Sequence, residues 1–319
     1  MSSGNPSITA DELRLDAIER VVTTALRSGH PDRVLAVAVV DASSPLAEFG
    51  RAMEAARFPE YDMAKAMAPW DDVSFFFYTV DVEHGRIGHV KRMVRARSAA
   101  EIARTGRTGI EVIDDRLDAT DPAEQATLES LLAQFDITDP ATMWNIATSC
   151  ATERIAPTRS GPYSLLTYKA LFLLSVPLPA NHFYAYINRK TVRAMARIGI
   201  PCTVVGDHEF HLPTPHGYDQ DYVAVHITAD DETVRAFTVV DPARPLSRAV
   251  AECDLEMVVL LDHPDQVLDL TDAAVAPYVE VVAVDSSWLA ADDVVIDLTD
   301  DDRLIIDLTD AAMARAQHG

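Results

Sequence analysis

The chain has 319 residues, a formal charge of -23 at pH 7 and 48% hydrophobic residues. That is enough for one large domain or two small ones with a sizeable core, and the acid excess argues against a general nucleic-acid binder. Its three cysteines, Cys150, Cys202 and Cys253, stand far apart with no CxxC pair, so neither a disulfide framework nor a structural zinc site is indicated.

The opening residues MSSGNPSITADELRLDAIERVV lack a basic stretch followed by an apolar run, and no apolar run reaches membrane-spanning length. The expectation is a soluble cytoplasmic protein. Residues 9–28 predict a capped amphipathic helix. Thr9 stands three residues before Glu12, and Leu13, Ala17, Val21 and Leu26 form its apolar stripe. The run VLAVAVVD at 34–41 predicts a buried strand. Residues 45–58 predict a helix with Leu46, Phe49, Met53 and Ala56 inward. A loop or broken helix follows to Trp70. Asp71 and Asp72 then precede a hairpin, with strands at 73–81 and 86–96 and a turn at Glu83, His84 and Gly85. Residues 98–105 predict a short helix. A longer helix is predicted over 122–135 with Asp121 as its cap and Leu128, Leu131, Leu132 and Phe135 on one side. A central strand is expected over 143–155. Beyond it, strands are expected at 182–187, 202–205 and 222–228. His208, His211 and His216 are expected in a loop broken by Pro213 and Pro215, as exposed side chains rather than metal ligands. The last ninety or so residues hold apolar runs at 257–261 and 279–284. They end acidic, with Asp-Leu-Thr-Asp at 269–272, 297–300 and 307–310.

The stretch from Glu153 to Ile200 carries a resemblance. A strand ends at Glu153, Arg154, Ile155, Ala156 and Pro157. A loop holds Arg159, Ser160 and Gly161. A helix opens at Pro162 and Ser164, a strand ends at Asn188, and Gly199-Ile200 follow eleven residues later. This order resembles the acyl-CoA-binding half of the GNAT acyltransferase superfamily. The wording around Arg154, Arg159 and the Leu-Leu-Thr-Tyr-Lys-Ala-Leu run is most similar to the branch of acyl-homoserine-lactone (autoinducer) synthases and N-acyl amino acid synthases. Gly88 to Val94, containing Arg92, is similar to the stretch that closes the second hairpin strand in that branch. Any βαβα unit shares the coarse order. The resemblance implies an α/β, GNAT-like central mixed, mostly antiparallel sheet flanked by helices, with a C-terminal extension. It divides the chain into an N-terminal helix (1–30), a core (31–228) and an acidic extension (229–319).

The implied activity is N-acyl transfer from acyl-CoA or acyl carrier protein to an amine such as an amino acid. The amine attacks the thioester directly, with no tightly bound cofactor and no metal. Such chemistry needs a hydrogen-bond donor for the developing oxyanion and a route for the amine's proton. Carried onto this chain, the resemblance nominates Arg154, Glu153, Arg92 and Asn145 for catalysis. It nominates Arg159, Ser160, Gly161 and Asn188 for the donor, and Trp70, Asp71 and Asp72 for the acceptor; the cationic run from Lys91 to Arg107 adds Arg104 and Arg107 as a landing site for CoA phosphates or an acidic carrier protein. Two positions depart from the family pattern: Ala151 replaces a Glu and Met195 replaces a Tyr acid. A catalytically inactive GNAT-like ligand-binding or protein-interaction module is therefore the alternative. Plain readings stand beside the functional ones. Glu153 and Arg154 also fit a surface ion pair, the basic run from Lys91 to Arg107 a solvated face, and Asp71-Asp72 a strand cap.

Overall fold

The computed structural model describes residues 10–27, 32, 34–59, 61–120, 125–152, 166–172, 181–212, 220–230, 255–261, 279–283, 294–297 and 305–308, with single positions 233, 235, 239 and 243. Helices are α1 (Ala10–Arg27), α2 (Ala47–Arg57), α3 (Met63–Met67), α4 (Ala99–Thr105), α5 (Glu111–Asp118), α6 (Leu128–Gln134), α7 (166–172) and α8 (Arg189–Ile198). Strands are β1 (Leu35–Asp41), β2 (Ser74–Asp81), β3 (Arg86–Arg95), β4 (Met143–Ala151), β5 (His182–Asn188), β6 (Thr203–Leu212), β7 (Gln220–Thr228), β8 (Glu256–Leu261), β9 (Val279–Ala283), β10 (Val294–Asp297) and β11 (Ile305–Leu308). Nine of them form one sheet in the order β6-β7-β5-β4-β3-β2-β1-β8-β9. The pairs β4–β5, β1–β8 and β8–β9 are parallel, and the others are antiparallel. The fold is thus the mixed, mostly antiparallel sheet flanked by helices that the resemblance implies. None of the described helices is long and apolar enough to cross a membrane.

Both faces of the sheet are covered, which is why β1 and β2 read as near-continuous apolar runs. On one face Phe75, Phe77, Met93, Trp144, Ile146 and Phe183 pack against Tyr168, Leu171 and Phe172 of α7 and Met195 of α8. On the other, Ile18, Val22 and Leu26 of α1 and Phe49 of α2 cover Phe76, Tyr78 and Val80. Farther along that face, Val112 and Ile113 of α5 and Leu131 of α6 cover Met143, Tyr184 and Ala224. Helix α2 lies close on β2 because it presents a glycine there. A Cβ at Gly50 would sit 2.3 Å from the Phe76 ring. The Gly50 N–H donates to the Tyr78 hydroxyl (3.1 Å), which itself donates to the Leu46 carbonyl (2.9 Å).

Several elements differ from their sequence-based expectation. Ala56 is exposed, and Glu54 is the residue α2 turns inward. Helix α6 begins at Leu128 with Thr127 as its cap, in a capping box with Ser130. Asp121 and Pro122 lie outside the described residues. Helix α5 was not anticipated. The predicted loop with His208 and His211 is part of strand β6, which runs to Leu212, while His216 lies outside the described residues. The apolar runs at 257–261 and 279–284 join the main sheet as β8 and β9 beside β1. The two near-repeats pair with each other, Val294 opposite Leu308.

Candidate active site

The site is where two neighbouring strands part. The parallel ladder between β4 and β5 runs from Met143–His182 to Ile146–Ala185 and stops. Strand β4 goes on pairing with β3 to Ala151, and β5 with β7 to Asn188. The divergence coincides with an irregularity in β4. Met93 faces Ile146 and Arg92 faces Thr148, which leaves Ala147 as an extra residue. A bulge of this kind bends its strand and strengthens the local twist. Past it, the facing edges of 147–151 and 186–188 have no strand partner among the described residues. Between them opens a cleft of about 400 Å³. Its walls are Ala147, Thr148 and Ser149 on one side and Tyr186, Ile187 and Asn188 on the other. Arg57, Phe58, Met63 and Met67 line one end and Tyr168 the opposite face of the sheet.

Behind the α2 side of the cleft lies a buried ionic network. The Arg92 guanidinium, 2% exposed, donates from Nε (3.0 Å) and Nη2 (2.7 Å) to the two oxygens of Glu54, which is 1% exposed. Its Nη1 donates to Asp71 (3.0 Å), which also accepts from Arg51 (2.9 Å). The guanidinium lies 4.7 Å from the centre of the Phe76 ring. The Thr148 hydroxyl, which lines the cleft, donates to Glu54. Arg92 and the Thr148 hydroxyl thus meet on the same carboxylate, Glu54.

Behind the opposite side lie two buried bases. The Lys91 side-chain nitrogen sits 3.0 Å from the centre of the Tyr168 ring and has no hydrogen-bond partner among the described residues. Burial drives its pKa well below the ordinary lysine range. His89 is held well below its usual range by burial and by Lys91, and its Nε2 lies 3.2 Å from the Ser149 hydroxyl.

Helix α5 brings Glu111 to the cleft. Its carboxyl pKa is raised to about 7 by burial and by Asp115, against a hydrogen bond from the Asn145 amide. Asp115 is raised too, by burial first, and accepts from the Tyr186 hydroxyl (2.7 Å). The helix needs no capping side chain at Ile110. Asp114, inside its first turn, accepts instead from the backbone N–H of Thr108 (2.8 Å) and Gly109 (3.1 Å).

The structure brings together some of the nominated residues. Asn188 lines the cleft and caps α8, its side chain accepting from the Thr191 N–H (2.9 Å). Asn145 lies at the last paired stretch of β4, opposite Tyr184. Asp71 is engaged by Arg92 and Arg51, and Asp72 by Arg97 in a two-point contact (2.9 and 2.9 Å). Trp70 gives its carbonyl to the Ser74 hydroxyl (2.7 Å). The basic run does not form one solvated face, because Lys91 and Arg92 are buried on opposite sides of the sheet. Arg104 is exposed on α4, and Arg107 pairs with Asp118. Glu153, Arg154, Arg159, Ser160 and Gly161 lie outside the described residues. Thr152 immediately before them is tied to β3, donating from its N–H to Gly88 and from its hydroxyl to Ile87.

No family model matches the sequence, and no curated protein matches it. Solved structures do. The chain is similar to a CoA-dependent acyl-homoserine lactone synthase, MesI, at 13% identity over 69% of this chain and 98% of that one, with a TM-score of 0.39. It is similar to another, BjaI with SAM and isopentyl-CoA, at 12% identity over 76% and 97%, TM-score 0.37. An agmatine N-acetyltransferase aligns at 10% identity over 61% and 99%, TM-score 0.37. The first two are acyl-homoserine lactone synthases, the kind of enzyme that the sequence resembles, and the third is an acetyltransferase. At such identities and scores the likeness says nothing of activity.

Proposed function

We propose that the chain is an N-acyltransferase that moves an acyl group from a pantetheine thioester, acyl-CoA or acyl carrier protein, to an amine such as an amino acid. The observation that supports this is the parting of β4 from β5 at the Ala147 bulge. An extended pantetheine arm carries two amides. It needs backbone donors and acceptors along a strand edge, and an open parallel edge inside a cleft offers them. The N–H groups beside the bulge are then the donors for the thioester oxygen as charge develops. Arg154, Arg159, Ser160 and Gly161 come after β4 in the sequence and are the proposed partners of the donor's phosphates, and Asn188 lines the cleft. Arg57, which forms no ion pair with another described residue, is suited to an anionic group on the acceptor. The core of this reading is 31–228, with 229–319 as the extension.

The experiment is free-thiol release from a panel of acyl-CoAs and acylated carrier proteins with pooled amino acids. Release that depends on both donor and amine is expected. Ala147→Phe fills the gap between the strands and should raise KM for the donor more than tenfold, on the scale of losing one well-placed anchor (about 1.4 kcal/mol per tenfold). The alternative, an inactive binding module, gains from Met195, which is buried in the core and is no proton donor. CoA binding without any thiol release would favour it.

A further inference from the structure

Direct attack on a thioester needs an amine with a free lone pair, and an aliphatic ammonium with a pKa of roughly 10 keeps its proton at neutral pH. An enzyme of the proposed kind therefore needs a proton acceptor in the cleft. The described titratable side chains that line it are Arg57, Tyr61, Glu111, Tyr168, Tyr186 and Tyr222. Arginine stays protonated. Burial pushes Tyr168, Tyr186 and Tyr222 above the ordinary phenol range, so they hold their protons, and Tyr61 is a phenol at the exposed rim. That leaves one carboxylate.

Resting on the acyl-transfer reading, we propose that Glu111 accepts the proton of the attacking amine, with Asn145 as its positioning partner. Three features of the site support the assignment. Glu111 lines the same cleft as the bulge at Ala147, so it shares the space in which an acyl donor would lie. Asn145, 1% exposed, donates its amide to the Glu111 carboxylate while its own oxygen is buried with no partner among the described residues. An amide held this way serves both protonation states. It donates to the carboxylate, and turned over it accepts from the carboxylic acid, giving the stranded oxygen its partner.

The surrounding charges tune the group toward neutral pH. Asp115, one helical turn along α5, favours the protonated form, and Asn145 on β4 favours the ionised one. Tyr186 on β5 spends its hydroxyl on Asp115. Asp114 is occupied by the backbone of the preceding loop, and Arg57 faces the cleft from α2. The resulting pKa of about 7 keeps a useful fraction ionised while leaving real basicity. The step balances. Glu111 takes one proton from the ammonium, and the freed lone pair forms the C–N bond. The C–S bond breaks with its electron pair on sulfur, and the nitrogen's second proton passes to that sulfur. Glu111 then returns its proton to solvent.

The test is the pH profile of kcat/KM for thiol release with a fixed donor and amine, run on wild type, Glu111→Gln, Asp115→Asn and Asn145→Ala. Wild type should rise through an apparent pKa near 7. Glu111→Gln should lose that limb and fall by about 10²–10³-fold, with donor affinity within twofold of wild type. Asp115→Asn removes a charge that raises the pKa, so the limb moves to lower pH. Asn145→Ala removes a bond that lowers it, so the limb moves up. An active wild type whose limb and rate survive in Glu111→Gln overturns the assignment and leaves the acyltransferase reading standing. If Glu111→Gln fails to fold, limbs that do not move in opposite directions in the other two variants overturn it equally. A wild type that releases no thiol with any donor and amine overturns both.

Discussion

Arg92 and Glu54 face each other across the α2–β3 interface with almost no access to water. Each ion lost its hydration on folding, and the two-point contact, the Asp71 arm, the Thr148 hydroxyl and the face of the Phe76 ring compensate. Removing one partner strands a buried charge, which costs about 3–5 kcal/mol. Arg92→Met should therefore lower the urea-unfolding free energy by that amount. Arg92→Met with Glu54→Met should recover most of it, since two apolar side chains of similar length need no hydration. The double variant should still bind donor poorly, because the Thr148 hydroxyl at the cleft has then lost its Glu54 partner. A stable double variant with wild-type donor affinity would show the network to be structural only. Strand alternation puts the neighbours Lys91 and Arg92 on opposite faces. It cannot say that both faces are roofed, because the roof is made by residues far off in sequence. Glu54 carried the missed signal, an acid at an inward helical position.

At the scale of elements, most strands were legible because buried strands announce themselves by long apolar runs, but their order in the sheet was not. Nor was helix α5. Its eight residues, EVIDDRLD, are too few for a clear helical period, and Ile110 before it offers no capping side chain to mark its start. The carboxylate assigned here as proton acceptor was hidden with it. Pairing of β5 with β7 creates another device invisible locally. His182 and His226, from strands apart in sequence, stack with ring centres 5.3 Å apart and meet at 3.0 Å between nitrogens, with Phe135 of the α6 end 4.2 Å from His226. Burial, and then His182, push the His226 pKa down to about 4. A histidine whose folded pKa lies below its unfolded value of about 6.5 favours the neutral form. Its stabilising contribution is complete above that value and is lost as the pH falls toward 4. The urea midpoint should thus drop between pH 6.5 and 4, and His226→Phe should flatten part of that drop. Parallel curves for variant and wild type would remove the histidine pair from the account of acid sensitivity.

For the whole molecule, the consequential join is at β1. Its interior residues Ala36 to Val40 are fully buried, between β2 on one side and β8 on the other. The segment from 229 on read as an addition to a finished core, yet β8 pairs with β1 from Ala36–Glu256 to Val40–Leu260, and β9 continues the sheet. An apolar strand deprived of its neighbour exposes a row of unpaired N–H and C=O groups, and so becomes a template for other chains. A chain ended at residue 243 should therefore do more than lose a tail. We expect it to elute from size-exclusion chromatography as aggregate, with soluble yield far below that of the full chain. A chain ended at residue 290 keeps β8 and β9 while discarding β10 and β11, which among the described strands pair only with each other. It should stay as soluble and as stable to urea as the full chain. If the 243-residue chain were monomeric and equally stable, β8 would be a passenger on an edge that needs no cover. The parting of β4 from β5, four strands away from β8 in the sheet order, would then have to be stabilised without it.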